Sequence, residues 1–286
     1  MQKDDYPILF EGLHTTYFIN HTSLKNRIKL VRAHNIEHHY YKGLFRNEQS
    51  IYRKTYFLIE ALKLKRYEHK LIYADTILAL STSEKDYFAK YYGKDKTVYL
   101  PLFADLPKQA PTTKEIVPQV LYHGDLSTPE NINAASFLMQ NVVPLDQSIS
   151  WIFAGLNPDP KLIRLASQYS NISLRANLRK DEMDTLIKES AVNILYTKQV
   201  SGVKLKLLNA LTKGNHCLAT KEMTEGSGLS RLCIEISHNP EEIIRTIQSS
   251  LIQKISPEEK GSRYSTLSAI YDNNKNAQIL IRNIKE

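Results

Sequence analysis

No apolar run in this 286-residue chain approaches the roughly 18 uncharged residues that span a bilayer. Its first residues, Met1-Gln2-Lys3-Asp4-Asp5, are polar and acidic, unlike a secretory signal. Cysteine is scarce: Cys217 and Cys233 each lie in a short apolar run. Two such residues build neither a disulfide framework nor a metal site, and they read as buried thiols of a reduced, cytosolic protein. Low-complexity sequence is missing and apolar residues make up 42% of the chain, which argues against disorder. What is there suffices for two medium domains, or one large one, with ample core.

The net charge of +8 is unevenly placed. Between Arg46 and Lys70, Arg46, Arg53, Lys54, Lys63, Lys65, Arg66 and Lys70 interleave with Tyr52, Phe57, Leu58, Ile59, Leu62, Leu64 and Tyr67. The pattern reads as one long basic helix with aromatics. It is expected either to rest on an anionic membrane surface or to present a solvated face while its apolar residues pack inward. No nucleic-acid-binding motif accompanies it, so nucleic acid is not an expected partner.

From about residue 118, short β-rich runs alternate with helical segments. The strands are expected at Gln119–Tyr122, Ile149–Ala154, Ile172–Leu174, Val192–Leu195, His216–Ala219 and Leu232–Ile236. Helices are expected at Glu130–Gln140, Pro160–Gln168, Lys180–Glu189, Val203–Thr212, roughly Glu222–Leu229, and Pro240–Ser249. This alternation predicts a parallel, doubly wound sheet that binds ligands beyond the carboxyl ends of its strands. Before it, Ile8–Phe10, Ile28–Ala33, Ile77–Leu80 and Val98–Leu100 supply four more strands. The organisation is therefore read as a partial first domain at 1–105, a linker at 106–117 and a second domain at 118–286.

The most informative stretch is Ser201-Gly202-Val203-Lys204-Leu205-Lys206-Leu207-Leu208-Asn209-Ala210-Leu211. A small polar residue and a glycine open a helix with two lysines in its first turns. Backbone N–H groups, the helix dipole and ammonium groups together suit a phosphate. Strict helical geometry sets Lys204 and Lys206 about 200° apart. One of them is thus expected to be structural, and Lys206 is preferred for the anion.

These residues reach a known family. The segments Val120-Leu121-Tyr122-His123-Gly124-Asp125-Leu126, Trp151 to Pro158, Ser201 to Gly214 and Ala219 to Glu222 resemble the donor-binding domain of retaining GT-B glycosyltransferases, glycosyltransferase family 4. Phe10 to His14 and Arg32 to Tyr41 are similar to the family's acceptor-side domain, with weaker support from Ser81 to Glu84 and Tyr99 to Pro101.

The resemblance implies an α/β, GT-B-like fold of two Rossmann-like doubly wound domains, the first lacking its opening β-α units. It implies a hexosyltransferase that moves a sugar from a nucleotide-diphospho-sugar, with retention, to a glycan or lipid-linked acceptor. Such an enzyme would act in polysaccharide biosynthesis in the cytoplasm, peripherally at the inner membrane face. By the same likeness His34, Lys206 and Lys204 are the catalytic candidates. Gly124, Asp125, Ser201, Gly202, Asn209 and His14 are the donor-binding ones. Negative charge grows on the leaving diphosphate, so such a site needs fixed cations and N–H donors there. No Asp-x-Asp occurs, which favours a metal-free, lysine-based solution needing no cofactor.

Two glutamates with seven residues between them usually flank the family's donor helix, and Ser201 and Asn209 stand at those positions here. Asn209 carries no charge. A nucleotide-sugar-binding protein or a truncated remnant without turnover is therefore the alternative, and a sugar-nucleotide epimerase a more distant one. His34-Asn35-Ile36-Glu37-His38 also matches the H-x-x-E-H zinc-protease pattern. That chemistry needs both histidines on one helix, whereas His34 ends an apolar strand.

Overall fold

The computed structural model describes residues 4–48, 50–104, 106–107, 115–199 and 204–285, with only the backbone of Asn47 and Lys285. The described strands form two wholly parallel sheets. The first has the order β1(Ile8–Glu11), β2(Lys29–Ala33), β3(Thr76–Ala79), β4(Thr97–Tyr99). The second contains β5(Val117–Asp125), β6(Ser150–Leu156), β7(Ile172–Ala176), β8(Ser190–Leu195), β9(His216–Thr220) and β10(Ile234–Ile236), in the order β10-β9-β8-β5-β6-β7. The chain thus turns direction between β5 and β8, where Val120 pairs with Val192 on one side and with Trp151 on the other. Such a switch point opens a crevice at the carboxyl ends of the strands.

Strand alternation assigns the layers. Val120, Tyr122, Trp151, Phe153, Val192 and Ile194 project onto a face covered by α4(Pro129–Phe137), α5(Pro160–Ala166) and α9(Pro240–Ile252). Leu121, Ile152 and Ala154 meet Leu186 and Ile187 of α6(Lys180–Glu189) on the opposite face. There Leu195, Cys217 and Ala219 meet Leu207, Leu208 and Leu211 of α7(Leu205–Lys213). All six residues of β8 are buried, which is why it reads in sequence as a mostly apolar run; its buried Asn193 donates to the Ile187 carbonyl at 3.1 Å. At the start of that crevice β5 and β6 come very close. A Cβ on Gly155 would overlap the carbonyl oxygen of Gly124.

In the first sheet Phe10, Val31, Ala33, Ile77 and Ala79 form one core with Leu64, Leu71 and Phe88. These last belong to α2(Ile51–Tyr67), the 3-10 turn Glu68–Tyr73 and α3(Thr82–Tyr92). Beneath α1(Glu37–Asn47), His38 Nδ1 lies 3.1 Å from Glu68 Oε2 and the Tyr87 hydroxyl donates to Glu68 Oε1 at 2.7 Å, pinning these helices together. The sheet's other face, Leu30, Leu78 and Leu100, is covered by Ile279, Leu280 and Ile284 of α11(Asn273–Lys285). Between the sheets, Asn273 clamps the backbone of Ala104 from both sides, at 3.0 Å each.

The structure corrects one expectation here: the basic stretch is not a single helix. It breaks after α1, where Glu48 Oε1 accepts from the Ser50 amide at 2.9 Å and α2 starts anew. After α9 the chain runs through α10(Pro257–Ile270) into α11, C-terminal helices whose bounds the sequence pattern did not give. Cys217 and Cys233 are both free, the first buried and the second half-buried.

Candidate functional site

At the switch point two lysines reach the first turn of one helix. Lys204 Nζ lies 3.0 Å from Glu130 Oε1, and Lys206 Nζ donates to Asn131 Oδ1 at 2.7 Å. Glu130 and Asn131 are consecutive residues of α4, whose entry is shaped by Pro129 at its first position. Helical geometry alone set the two lysines on opposite sides of α7. They converge because Lys204 precedes the helix, with extended backbone (φ −87°, ψ 115°), and α7 begins only at Leu205.

Each partner is held in turn. Thr197, just after β8, donates to Glu130 Oε1 at 2.7 Å, and the Tyr122 hydroxyl donates to Asn131 Oδ1 at 3.1 Å. Asn131 Nδ2 donates to the carbonyl of Asp125 at 2.9 Å. Burial pushes the Lys206 ammonium down to about 8, Glu130 partly opposing and Lys204 adding to the fall. Burial works against the Glu130 carboxylate too, yet Lys204, the Thr197 hydroxyl and Lys206 outweigh it and hold its pKa below the ordinary value. His123, at the end of β5, is pushed down to about 3 by burial and by Lys206 and Lys213, so its imidazole is neutral. Its Nε2 is buried without a hydrogen-bond partner.

Gly124 lies against the Asn131 side chain. The Asp125 carboxylate closes its own turn, accepting from the Ser127 amide at 3.0 Å and the Ser127 hydroxyl at 2.6 Å. Asn209, three residues beyond Lys206 on α7, is exposed in a groove of about 340 Å³ shared with Phe103, Lys180, Asp184 and Leu205. Lys213 closes one wall through an ion pair with Asp184 at 2.6 Å. Ser201 and Gly202 lie outside the described residues.

His14 and His34 form a second group, at the carboxyl edge of the first sheet. His34 Nε2 sits 3.0 Å from Glu11 Oε2, and His14 Nε2 sits 3.7 Å from Glu37 Oε2. Burial raises the Glu37 carboxyl above its ordinary value, against the pull of His14 and His34. His34 and His38 point to different carboxylates, Glu11 and Glu68, so the H-x-x-E-H pattern is not assembled around one point. The halves touch where Gln199 packs against Gly43 of α1 and where Gly226 meets Ser83 of α3.

Sequence reasoning missed Glu130, Asn131, Thr197 and His123. The first two carried a weak signal, the Thr128-Pro129-Glu130 helix start, but nothing local pairs them with lysines more than seventy residues on.

No protein-family model matches the chain. Over 242 residues it is 28% identical to an uncharacterized 44.6 kDa protein in the cps region of Klebsiella pneumoniae, an alignment covering 79% of this chain and 60% of that one. A variant of S. aureus TarM, solved with fondaparinux, α-GlcNAc-glycerol and UDP, superposes with a TM-score of 0.70 at 12% identity, over 97% of this chain and 55% of TarM. Sucrose-phosphate synthase from Thermosynechococcus elongatus gives 0.69 at 13% identity, over 96% and 73%. The fold is GT-B. TarM and the synthase are themselves glycosyltransferases. The chain spans about 60% of the length of its curated relative.

Proposed function

We propose that this GT-B chain is a glycosyltransferase of the retaining kind, acting on a nucleotide-diphospho-sugar without a metal ion and delivering a hexose to a glycan or lipid-linked acceptor. One observation carries the reading. Lys204 and Lys206 converge on the first turn of α4 beside Gly124, at the switch point where such sheets take their ligands. The unpaired N–H groups and dipole of that helix end add to the lysines' attraction for phosphate oxygens. An entering diphosphate would draw the two ammonium groups from Glu130 and Asn131 and hold them against the charge that grows on the leaving group. His34 and His14, on the facing sheet, are placed in this reading on the sugar side. In this reading the chain works in the cytoplasm, with a peripheral place at the inner membrane face.

The second reading, nucleotide-sugar binding without turnover, is favoured by one specific feature: Asn209 offers no carboxylate to the groove that a ribose would enter. Calorimetry with UDP, GDP and ADP, with and without a chelator, tests the shared part of both readings. Binding of one diphosphate, unaffected by chelation, is expected. Asn209→Glu should tighten it if the ribose lies in the groove. Failure of all three nucleotides to bind would sink both readings. Sugar release from the matched donor, seen only with acceptor present, separates transfer from mere binding.

A further inference from the structure

The helix α2 leaves much of its apolar surface in water. Ile51, Tyr52, Tyr56, Leu58, Ile59 and Leu62 are 78%, 89%, 54%, 39%, 46% and 55% exposed. Only Ala61 and Leu64 are fully buried, and Phe57 packs edge-on against Tyr41 of α1. At 100° per residue, positions 54, 57, 61 and 64 make the inward stripe. Tyr52, Tyr56, Ile59 and Lys63 then lie on the opposite side, with Leu62 and Arg66 beside them. The sequence left open whether these apolar residues pack inward, and the structure shows that they do not.

The charges around this arc have one sign. Arg53, Lys63, Lys65 and Arg66 are all exposed. The one carboxylate between Ile51 and Tyr67, Glu60, is tied to Lys63 at 2.9 Å. The next acid, Glu68, is buried. Beyond the helix, Lys70 donates to the Tyr17 carbonyl at 2.6 Å and lies over the rings of Tyr17 and Tyr67. It thereby joins the arc to Tyr17 and Phe18, which are also exposed.

We infer that this face is a docking surface for an anionic lipid bilayer, with α2 lying in the plane of the interface. Apolar and aromatic side chains enter the headgroup boundary while the lysines and arginines reach phosphates on their flexible stems. Charge complementarity selects this occupant: a surface that is apolar at its centre, basic throughout and free of an unpaired acid matches a negatively charged headgroup layer. The contact is peripheral, because no helix among the described residues is long and apolar enough to cross a membrane. The inference fits a lipid-linked acceptor but does not rest on the transferase reading, and its test is independent of nucleotide binding.

The test is co-sedimentation of the full chain with vesicles of phosphatidylcholine alone or mixed with phosphatidylglycerol, at low and high salt. The chain should pellet with the mixed vesicles at low salt and with neither kind at high salt. Each basic residue removed should weaken binding roughly fivefold. Lys63→Glu, Lys65→Glu and Arg66→Glu together should therefore abolish it. Tyr52→Ser, Ile59→Ser and Leu62→Ser together should weaken it at least tenfold. All six positions are exposed, so circular dichroism and nucleotide affinity should stay unchanged. In an Ile59→Trp variant, emission should shift to the blue on vesicle addition. No pelleting at low salt, or pelleting of both triple variants as tightly as the parent, would overturn the inference. So would a dimer, seen by light scattering, that Ile59→Ser dissociates in a chain that ignores lipid, because the face would then belong to a second copy.

Discussion

Replacing Lys206 by methionine should make the protein more stable and its site worse. The ammonium is held to about 8 by burial, against an ordinary value of 10.5. That difference corresponds to roughly 3 kcal/mol by which the folded state disfavours the charged form at neutral pH. Between pH 8 and about 10.5 the unfolded chain keeps a proton that the native state has lost, so stability rises with pH across this window. Above it the penalty is gone. Methionine keeps an unbranched apolar stem and removes the ammonium, which lies over the Tyr122 ring. Asn131 Oδ1 keeps its bond from the Tyr122 hydroxyl, so no acceptor is stranded. Urea unfolding should therefore place Lys206→Met above the parent by up to about 3 kcal/mol at pH 7, less whatever the lost ammonium contacts contribute, with the gap closing by pH 10. Calorimetry on the same variant should show nucleoside diphosphate binding weakened by about 1.5–3 kcal/mol, the worth of a charged hydrogen bond. In the parent, that affinity should fall as pH rises through 8. A variant less stable than the parent at pH 7, or one that binds diphosphate equally well, would refute the reasoning.

Gly155→Ala should destabilise the second sheet by about 3 kcal/mol or more, because its Cβ would meet the Gly124 carbonyl, which belongs to a strand and cannot move aside; soluble yield and the urea midpoint report this, and a normal midpoint would contradict it. Burial raises the Glu84 carboxyl to about 7 while it caps α3 from a bond with the Ser81 amide. The folded state therefore binds more protons than the unfolded chain between pH 4.5 and 7, and stability falls as pH rises through that window. Glu84→Gln, which keeps an acceptor for the cap, should flatten this slope, and an unchanged slope would assign it to other groups.

Much of the second sheet was legible from sequence because parallel strands covered on both faces are continuous apolar runs, as in Trp151 to Ala154. The helix α2 was harder to read. Its apolar residues lie on both sides, so no single helical stripe separates the buried Leu64 from the exposed Ile59. The lysines of the site stood out through their chemistry, whereas Glu130 and Asn131 did not. Their role depends on β5 and β8 lying side by side, a pairing that no local pattern encodes. The angular argument against Lys204 failed on a boundary: two residues of difference in where α7 begins turned an opposed lysine into a convergent one.

The return of α11 to the first sheet ties the order of synthesis to the order of folding. Leu30, Leu78 and Leu100 are synthesised first, and Ile279, Leu280 and Ile284, which cover them, leave the ribosome only after the whole second sheet. Until then this face of the first sheet lacks the apolar cover that α11 supplies. Burial of the first sheet is thereby coupled to completion of the second.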